Sequence, residues 1–358
     1  MTDSLPLAGL RVLELATLYA APLAGTMLAD FGADVLKVEP PTGDLFRDTP
    51  MWPLVARGKR SVRIDVREAA GQQTVRELAR DVDVLVENVP AKVMRRWGLS
   101  YEDLHRENPD LIVVSVSCFG AGGPHADRPG SGTLAESFGG LTHLTGEPDG
   151  PPMLPSIPLG DAVNAMSAVI GILVASRAKD HGVARGQHVD LAMYEPILQL
   201  VGPAVGAYVP GGPAPRRTGS RLAAPVSVRN VFATADGGWV TISCSTERHH
   251  RELVETVGGT ADTPLPEADR LTAEWIAARG TGEVVDMLVA KRIPGVPVND
   301  LAALAADEHV RARGSLVEIG SGYGVAPVPR LSETPGRVRS AGPGLGEHDE
   351  EVLGARVG

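Results

Sequence analysis

The chain has 358 residues, of which 43% are hydrophobic and 22% charged, with a formal net charge of −10. That length exceeds what one ordinary core organises, so two domains are expected, and the composition excludes a disordered chain. An acidic chain with a pI of about 5.4 carries no basic footprint for nucleic acid, although a local Arg/Lys pocket can still hold an anionic small molecule.

Leu10 to Leu15 reads as a short buried strand, Pro22 to Phe31 as an apolar helix closed by Gly32, and Asp34 to Val38 as the next strand. So compact a strand–helix–strand unit predicts parallel pairing. Ser61 to Val66 alternates Val62, Ile64 and Val66 as a strand does, and Glu68 to Arg80 places Val75, Leu78 and Ala79 on one helical face. Asp83 to Val86 is a strand, Ser100 opens a short helix with Asp103 in capping position, and Leu111 to Val116 is the apolar run of a strand buried on both faces. This alternation predicts a doubly wound, Rossmann-like parallel α/β sheet.

Gly120 to Pro158 is rich in Gly and Pro and reads mostly as loop, with a helix near Thr133 to Leu141. An apolar helix, Ala162 to Ala178, follows, then a strand at Gln187 to Leu191 and a helix at Glu195 to Tyr208. Gly211 to Pro215 marks a linker. Val228 to Ser243 predicts a hairpin turning at Asp236-Gly237-Gly238, and helices near His250 to Val257, Glu274 to Ala278 and Glu283 to Lys291 complete a smaller α+β unit. The expected division is a large α/β domain over 1–210 completed by 311–358, a linker over 211–224, and a small domain over 225–310.

Cys118 and Cys244 are the only cysteines, too few for a disulfide framework and without zinc spacing. No GxGxxG follows the first strand and no GxxxxGK[ST] occurs, so neither a nicotinamide cofactor nor a P-loop nucleotide is expected. Met1 to Ser4 shows no leader pattern and the apolar helix is short for a bilayer span, so a cytoplasmic protein without a membrane partner is expected.

The residue with most chemical content is Asp161, in Pro158-Leu159-Gly160-Asp161-Ala162 at the mouth of the apolar helix. A carboxylate there is held ionised and aimed outward, as a covalent acyl carrier requires. Asp is also a preferred N-cap, and the local pattern alone fits that simpler role.

Several segments carry a wider pattern: Pro6 to Leu15, Leu28 to Glu39, Gly58 to Val62, Val86-Glu87-Asn88, Phe119 to Pro124, Leu144 to Pro148, Arg185 to Asp190 and Pro343 to His348. In this order and spacing they resemble the family III CoA-transferases, the group that includes formyl-CoA and carnitine CoA-transferases. The resemblance implies exchange of coenzyme A between an acyl-CoA and a free carboxylic acid, without metal or nicotinamide. It places the nucleophile at Asp161, with Tyr19 beside it where some members carry Gln. It assigns CoA contacts to Leu18, Tyr19, Ile64, Val66, Arg67, Asn88, Val89 and Arg96. It also implies a homodimer of interlaced chains.

The chain departs from the family at Val89-Pro90-Ala91-Lys92, where Phe-Arg-Pro-Gly is common, at Pro40, where many members carry Arg, and around Gly132, where many carry Asp. Two alternatives stand beside the transferase. A 2-methylacyl-CoA racemase of the same superfamily needs a His opposite the Asp; that His would fall near Ser131, and only His125 and His143 flank the position. The other is a non-catalytic acyl-CoA-binding paralogue. His143, Arg216 and Arg217 are candidates for a substrate carboxylate.

Overall fold

The computed structural model describes residues 5–222, 227–320 and 322–354. Met1–Ser4, the end of the expected linker and the start of the expected small domain lie outside them. Contacts divide the chain into two compact units, Met1–Leu141 with Leu154–Gly202 and Gly314–Gly358, and Thr142–Met153 with Pro203–Arg313. The segment 142–153 therefore groups with the second unit, whereas the sequence reading kept it in the first. The same holds for 203–210.

In the first unit, among the described residues, six parallel strands form one sheet: β1 (Arg11–Leu15), β2 (Asp34–Glu39), β3 (Arg60–Arg63), β4 (Val84–Glu87), β5 (Ile112–Ser117) and β6 (His188–Ala192), in the order β3-β2-β1-β4-β5-β6. This is the doubly wound order, with its switch point between β1 and β4. Alternation along each strand feeds two cores. Val12, Val35, Val84 and Val114 face one, with Leu28, Ala168 and Ile172; Leu13, Leu36, Leu85 and Val113 face the other, with Val75, Leu78 and Leu104. Burial on both faces explains the near-continuous apolar strands.

The helices of this unit begin with α1 (Ala20–Asp30), α2 (Trp52–Ala56), α3 (Ala69–Arg80), α4 (Ala91–Trp97) and α5 (Tyr101–Glu107). Ser100 caps α5 by accepting the Asp103 N–H, as its sequence predicts. α6 (Gly132–Phe138) and α8 (Leu159–Asp180) follow; the single turn α7 (Leu141–Leu144) between them falls, from Thr142 on, in the second unit. α8 has 22 residues, longer than the run Ala162 to Ala178 suggests, and by length and composition it is apolar enough to cross a bilayer. One face of it, with Ala165, Ala168 and Ile172, packs in the core. The region Glu195 to Tyr208, read as one helix, is two: α9 (Tyr194–Leu200) and α10 (Gly202–Ala207). Gly202-Pro203 supplies the break.

The second unit carries an antiparallel sheet, β7 (Arg229–Ala233), β8 (Trp239–Ser243) and β9 (Gly295–Pro297), with the hairpin turn where Asp236-Gly237 places it. Gly237 sits at φ +82°, the left-handed conformation such a turn requires. Phe232, Val240 and Ile242 pack on α11 (Glu247–Thr256), α12 (Leu265–Ala277) and α13 (Thr281–Lys291) through Leu253, Ile276 and Leu288.

Candidate active site

The switch point holds a cavity of about 600 Å³. Its walls are the turn after β1 (Thr17 to Ala20), the segment after β4 (Asn88 to Lys92), the ends of β5 and β6, the loop 126–131 and the start of α6 and α8. Ligands of open α/β sheets bind here because successive connections leave the sheet in opposite directions. Asp161, Tyr19, Leu18, Asn88 and Val89 all line it.

Asp161 is the third residue of α8, in its first turn; Pro158 is the N-cap, so the capping role is not the one Asp161 fills. Glu136, only 1% exposed within α6, accepts the Gly160 N–H instead, at 2.7 Å. Two glycines let α6 and α8 approach this closely. A Cβ on Gly132 would lie 2.0 Å from Asp161 Oδ2, and one on Gly160 would lie 2.6 Å from the Gly132 carbonyl oxygen. The half-buried Asp161 carboxyl is raised above its ordinary range, first by loss of water and then by the negative charge of Glu136. Its own N–H and that of Ala20 act in the opposite sense, by donating to the carboxylate. Poor solvation and the neighbouring acid thus oppose ionisation of this carboxyl, and two backbone dipoles favour it.

Tyr19 packs against Trp52 and Val55. Its phenol is raised by burial and by Asp161 and lowered by Arg57, so it faces Asp161 as a neutral hydroxyl. Leu18 takes φ +66°, a strained conformation for a branched side chain, and half of it is exposed to the cavity. Asn88 accepts the Thr17 N–H at 3.1 Å and donates to the Thr17 carbonyl at 2.7 Å. Its amide thus fixes the turn across the switch point while its edge lines the cavity.

The remaining expected contacts lie outside this lining. Ile64 is buried in the sheet core and Val66 packs against the same core. Arg67 is exposed and bonds Asp65 through Nε at 2.8 Å and Nη2 at 2.6 Å. Arg96 is exposed on α4, and its neighbours Lys92 and Arg95 line the cavity in its place. In the second unit Arg217 donates to the His143 and Gly150 carbonyls, so it is occupied. His125 packs among Phe119 and Phe138. The histidine in the cavity lining is His188, whose Nε2 lies 2.9 Å from Ser115 Oγ and whose ring stacks on Tyr101.

The sequence reading missed Glu136, Glu87, Lys92, Arg95 and Arg128, all at or beside the cavity. Glu136 had a visible signal, a lone acid among Leu134, Ala135 and Phe138. Burial pushes the Glu87 carboxyl up to about 7, with Asp190 adding to the rise, against hydrogen bonds from Ser115 and the Val89 N–H.

The first unit is thus an α/β fold with a half-buried carboxylate in the lining of its switch-point cavity. The model of CoA-transferase family III matches residues 7–349, and the chain belongs to that family: it is a CoA-transferase. It is similar to the beta subunit of succinyl-CoA–L-malate CoA-transferase of Chloroflexus aurantiacus, with 38% identity over 98% of this chain and 94% of that protein. It is 35% identical to the succinyl-CoA–D-citramalate CoA-transferase of the same organism, over 97% of this chain and 93% of that one. A crystal structure of a CAIB/BAIF family protein from Brucella suis superposes with a TM-score of 0.87 at 29% identity, covering 99% of this chain and 100% of the other.

Proposed function

We propose that the protein moves CoA from succinyl-CoA, or a thioester close to it, to a second dicarboxylic acid, with Asp161 carrying the acyl group and then CoA. The observation that carries this reading is the Asp161 carboxylate, half-buried in the lining of the switch-point cavity and facing the Ala20 N–H. The dicarboxylic acid class follows from the names of the two Chloroflexus relatives, both succinyl-CoA transferases with a hydroxy-dicarboxylate partner.

An Asp161 oxygen attacks the thioester carbonyl, the C–S bond breaks, and CoA leaves as thiolate while a mixed anhydride forms. The thiolate attacks the Asp161 carbonyl of that anhydride, releasing the donor acid and leaving an aspartyl-CoA thioester. The acceptor carboxylate attacks this thioester and expels the thiolate, which then attacks the acceptor's carbonyl. The new acyl-CoA departs and Asp161 is restored. No water is consumed, and the anhydride survives only where water is excluded. Backbone N–H groups at the start of α1 and α8 stand beside the tetrahedral oxyanions. Lys92, Arg95 and Arg128 supply cations along the cavity for phosphates and for the distal carboxylate.

The reading includes a homodimer. Met166, Ile170, Leu173 and Val174 form an exposed apolar stripe on α8, which a second copy would cover. Light scattering on the purified protein tests this, and a monomer at micromolar concentration removes it.

Hydroxylamine added with succinyl-CoA tests the chemistry. Peptide mapping is expected to find a hydroxamate at Asp161 and none in Asp161→Ala, which still binds CoA. A hydroxamate at another residue, or full turnover by the Ala variant, removes Asp161 from the reaction.

A further inference from the structure

A buried charged cluster beneath α1 takes no part in the transfer steps. Glu14 on β1 and Lys37 on β2 are register partners and both are fully buried. Lys37 Nζ donates to Glu14 Oε1 at 3.1 Å, lies 2.9 Å from Asp44 Oδ2, and donates to the Ala16 carbonyl at 2.9 Å. Lys59 Nζ donates to Glu14 Oε2 at 2.5 Å and to the carbonyls of Pro22 at 2.7 Å and Val55 at 2.6 Å. Gly25 leaves the space for it, since a Cβ there would stand 2.2 Å from Glu14 Oε2.

Buried ion pairs give little net stability over a well-packed apolar replacement. This one has a geometric consequence. One ammonium grips the carbonyl just before the turn 17–20 and the other grips a carbonyl just after it, while one carboxylate ties the two together. Asn88 holds Thr17 from the third side. The turn carries the strained Leu18. It ends on Ala20, the first residue of α1, whose N–H has no partner within the helix and faces Asp161 instead.

We infer that Glu14, Lys37 and Lys59 are positioning residues that fix the turn 17–20 so that the Ala20 N–H meets the Asp161 carboxylate. The inference rests on Asp161 being the acyl carrier. The other groups facing that carboxylate are Glu136 from α6 and Tyr19 from the turn itself; those facing the two lysines are Glu14 and Asp44.

The test is the pH profile of kcat/KM for Lys37→Met and for the charge-balanced pair Glu14→Gln with Lys37→Met, each normalised to sites that form the hydroxamate. With the donor displaced, Asp161 ionises later. Transfer is expected to fall about three- to tenfold at the acid end and to converge on the unsubstituted enzyme at the alkaline end. A cluster with a purely structural role lowers Tm and the number of competent sites but leaves the profile in place, and that result overturns the inference. Hydrogen exchange on the unsubstituted enzyme decides if neither variant folds: the Ala20 amide is expected to exchange as slowly as the amides of β1, and fast exchange rejects the clamp. An unshifted profile in protein that forms the hydroxamate counts against the clamp alone. Absence of the hydroxamate in unsubstituted protein counts against the reading beneath it.

Discussion

Glu136 takes the N–H of Gly160 at 2.7 Å, and by doing so serves the start of α8 in place of Asp161. One carboxylate does the structural work of the helix terminus, and the next residue's carboxylate is left for the cavity. The arrangement has an electrostatic cost that can be read out. Burial is the first cause of the raised Asp161 carboxyl and the charge of Glu136 is the second. Glu136→Gln keeps an oxygen acceptor for Gly160 and removes the charge. Asp161 then titrates lower and stays ionised further into acid. The acid limb of kcat/KM is expected to move to lower pH, with several-fold faster transfer than the unsubstituted enzyme at the acid end and little change near pH 8. An acid limb that stays in place means that the Glu136 charge does not reach Asp161.

Gly132 gives a steric test of the same carboxylate. Its added Cβ would meet Asp161 Oδ2 at 2.0 Å and the Asp161 nitrogen at 2.8 Å. Its φ lies outside the left-handed region, so backbone strain does not confuse the result. Gly132→Ala is expected to swing the carboxylate out of line and lower kcat by about 100-fold, since displacement near 1 Å costs that much in aligned chemistry. Single-turnover formation of the hydroxamate measures it. Undiminished formation would show that Asp161 attacks from a different rotamer.

The parts legible in the sequence were those that repeat a local rule. The sheet followed from apolar runs of strand length separated by helical periods, and the hairpin at Asp236-Gly237 from turn chemistry alone. Asp161 was legible as a residue, through its place before an apolar helix and through the family pattern, but not as the third residue of that helix, because Pro158 and Leu159 carry no strong start signal. α2 and β9 were not legible: five residues and three residues show no period. The cluster of Glu14, Lys37 and Lys59 was hidden for a different reason. Each residue reads alone as a charge to be solvated, and only the pairing of β1 with β2 reveals that strand alternation points Glu14 and Lys37 inward together. Lys92 and Arg95 were missed because α4, which carries them, follows the Val89-Pro90 departure from the family pattern, and Arg128 because it lies in a loop that shows no period.

Glu87 predicts a dependence of stability on pH. Its folded pKa of about 7 lies above the ordinary 4.5, so the folded state keeps a proton that the unfolded chain releases. Between those values the folded state binds more protons, and stability falls as pH rises from about 4.5 to about 7, by a few kcal/mol in all. Glu87→Gln removes this slope while keeping an acceptor for the Val89 N–H, which Glu87 accepts at 2.7 Å. In urea titrations the variant is expected to match the unsubstituted protein near pH 4.5 and to exceed it at pH 8. A constant gap across that range would show that Glu87 is ionised in the folded protein.

The placement of the CoA phosphates separates two arginines. Arg67 is exposed, closed on Asp65 by two hydrogen bonds, and outside the cavity lining. Arg95 lines the cavity on α4, and among the described residues no carboxylate pairs with it. A free guanidinium offers a phosphate a bidentate contact, whereas Arg67 would first have to leave a carboxylate that already satisfies it. Arg95→Ala is therefore expected to raise KM for the acyl-CoA about tenfold with kcat nearly unchanged, as the loss of one charge-assisted contact to a non-reacting part of the substrate requires. Arg67→Ala is expected to leave KM within about twofold. Initial rates at saturating acceptor acid measure both. The reverse pattern would move the nucleotide end of CoA from α4 to the end of β3, where the resemblance alone had placed it.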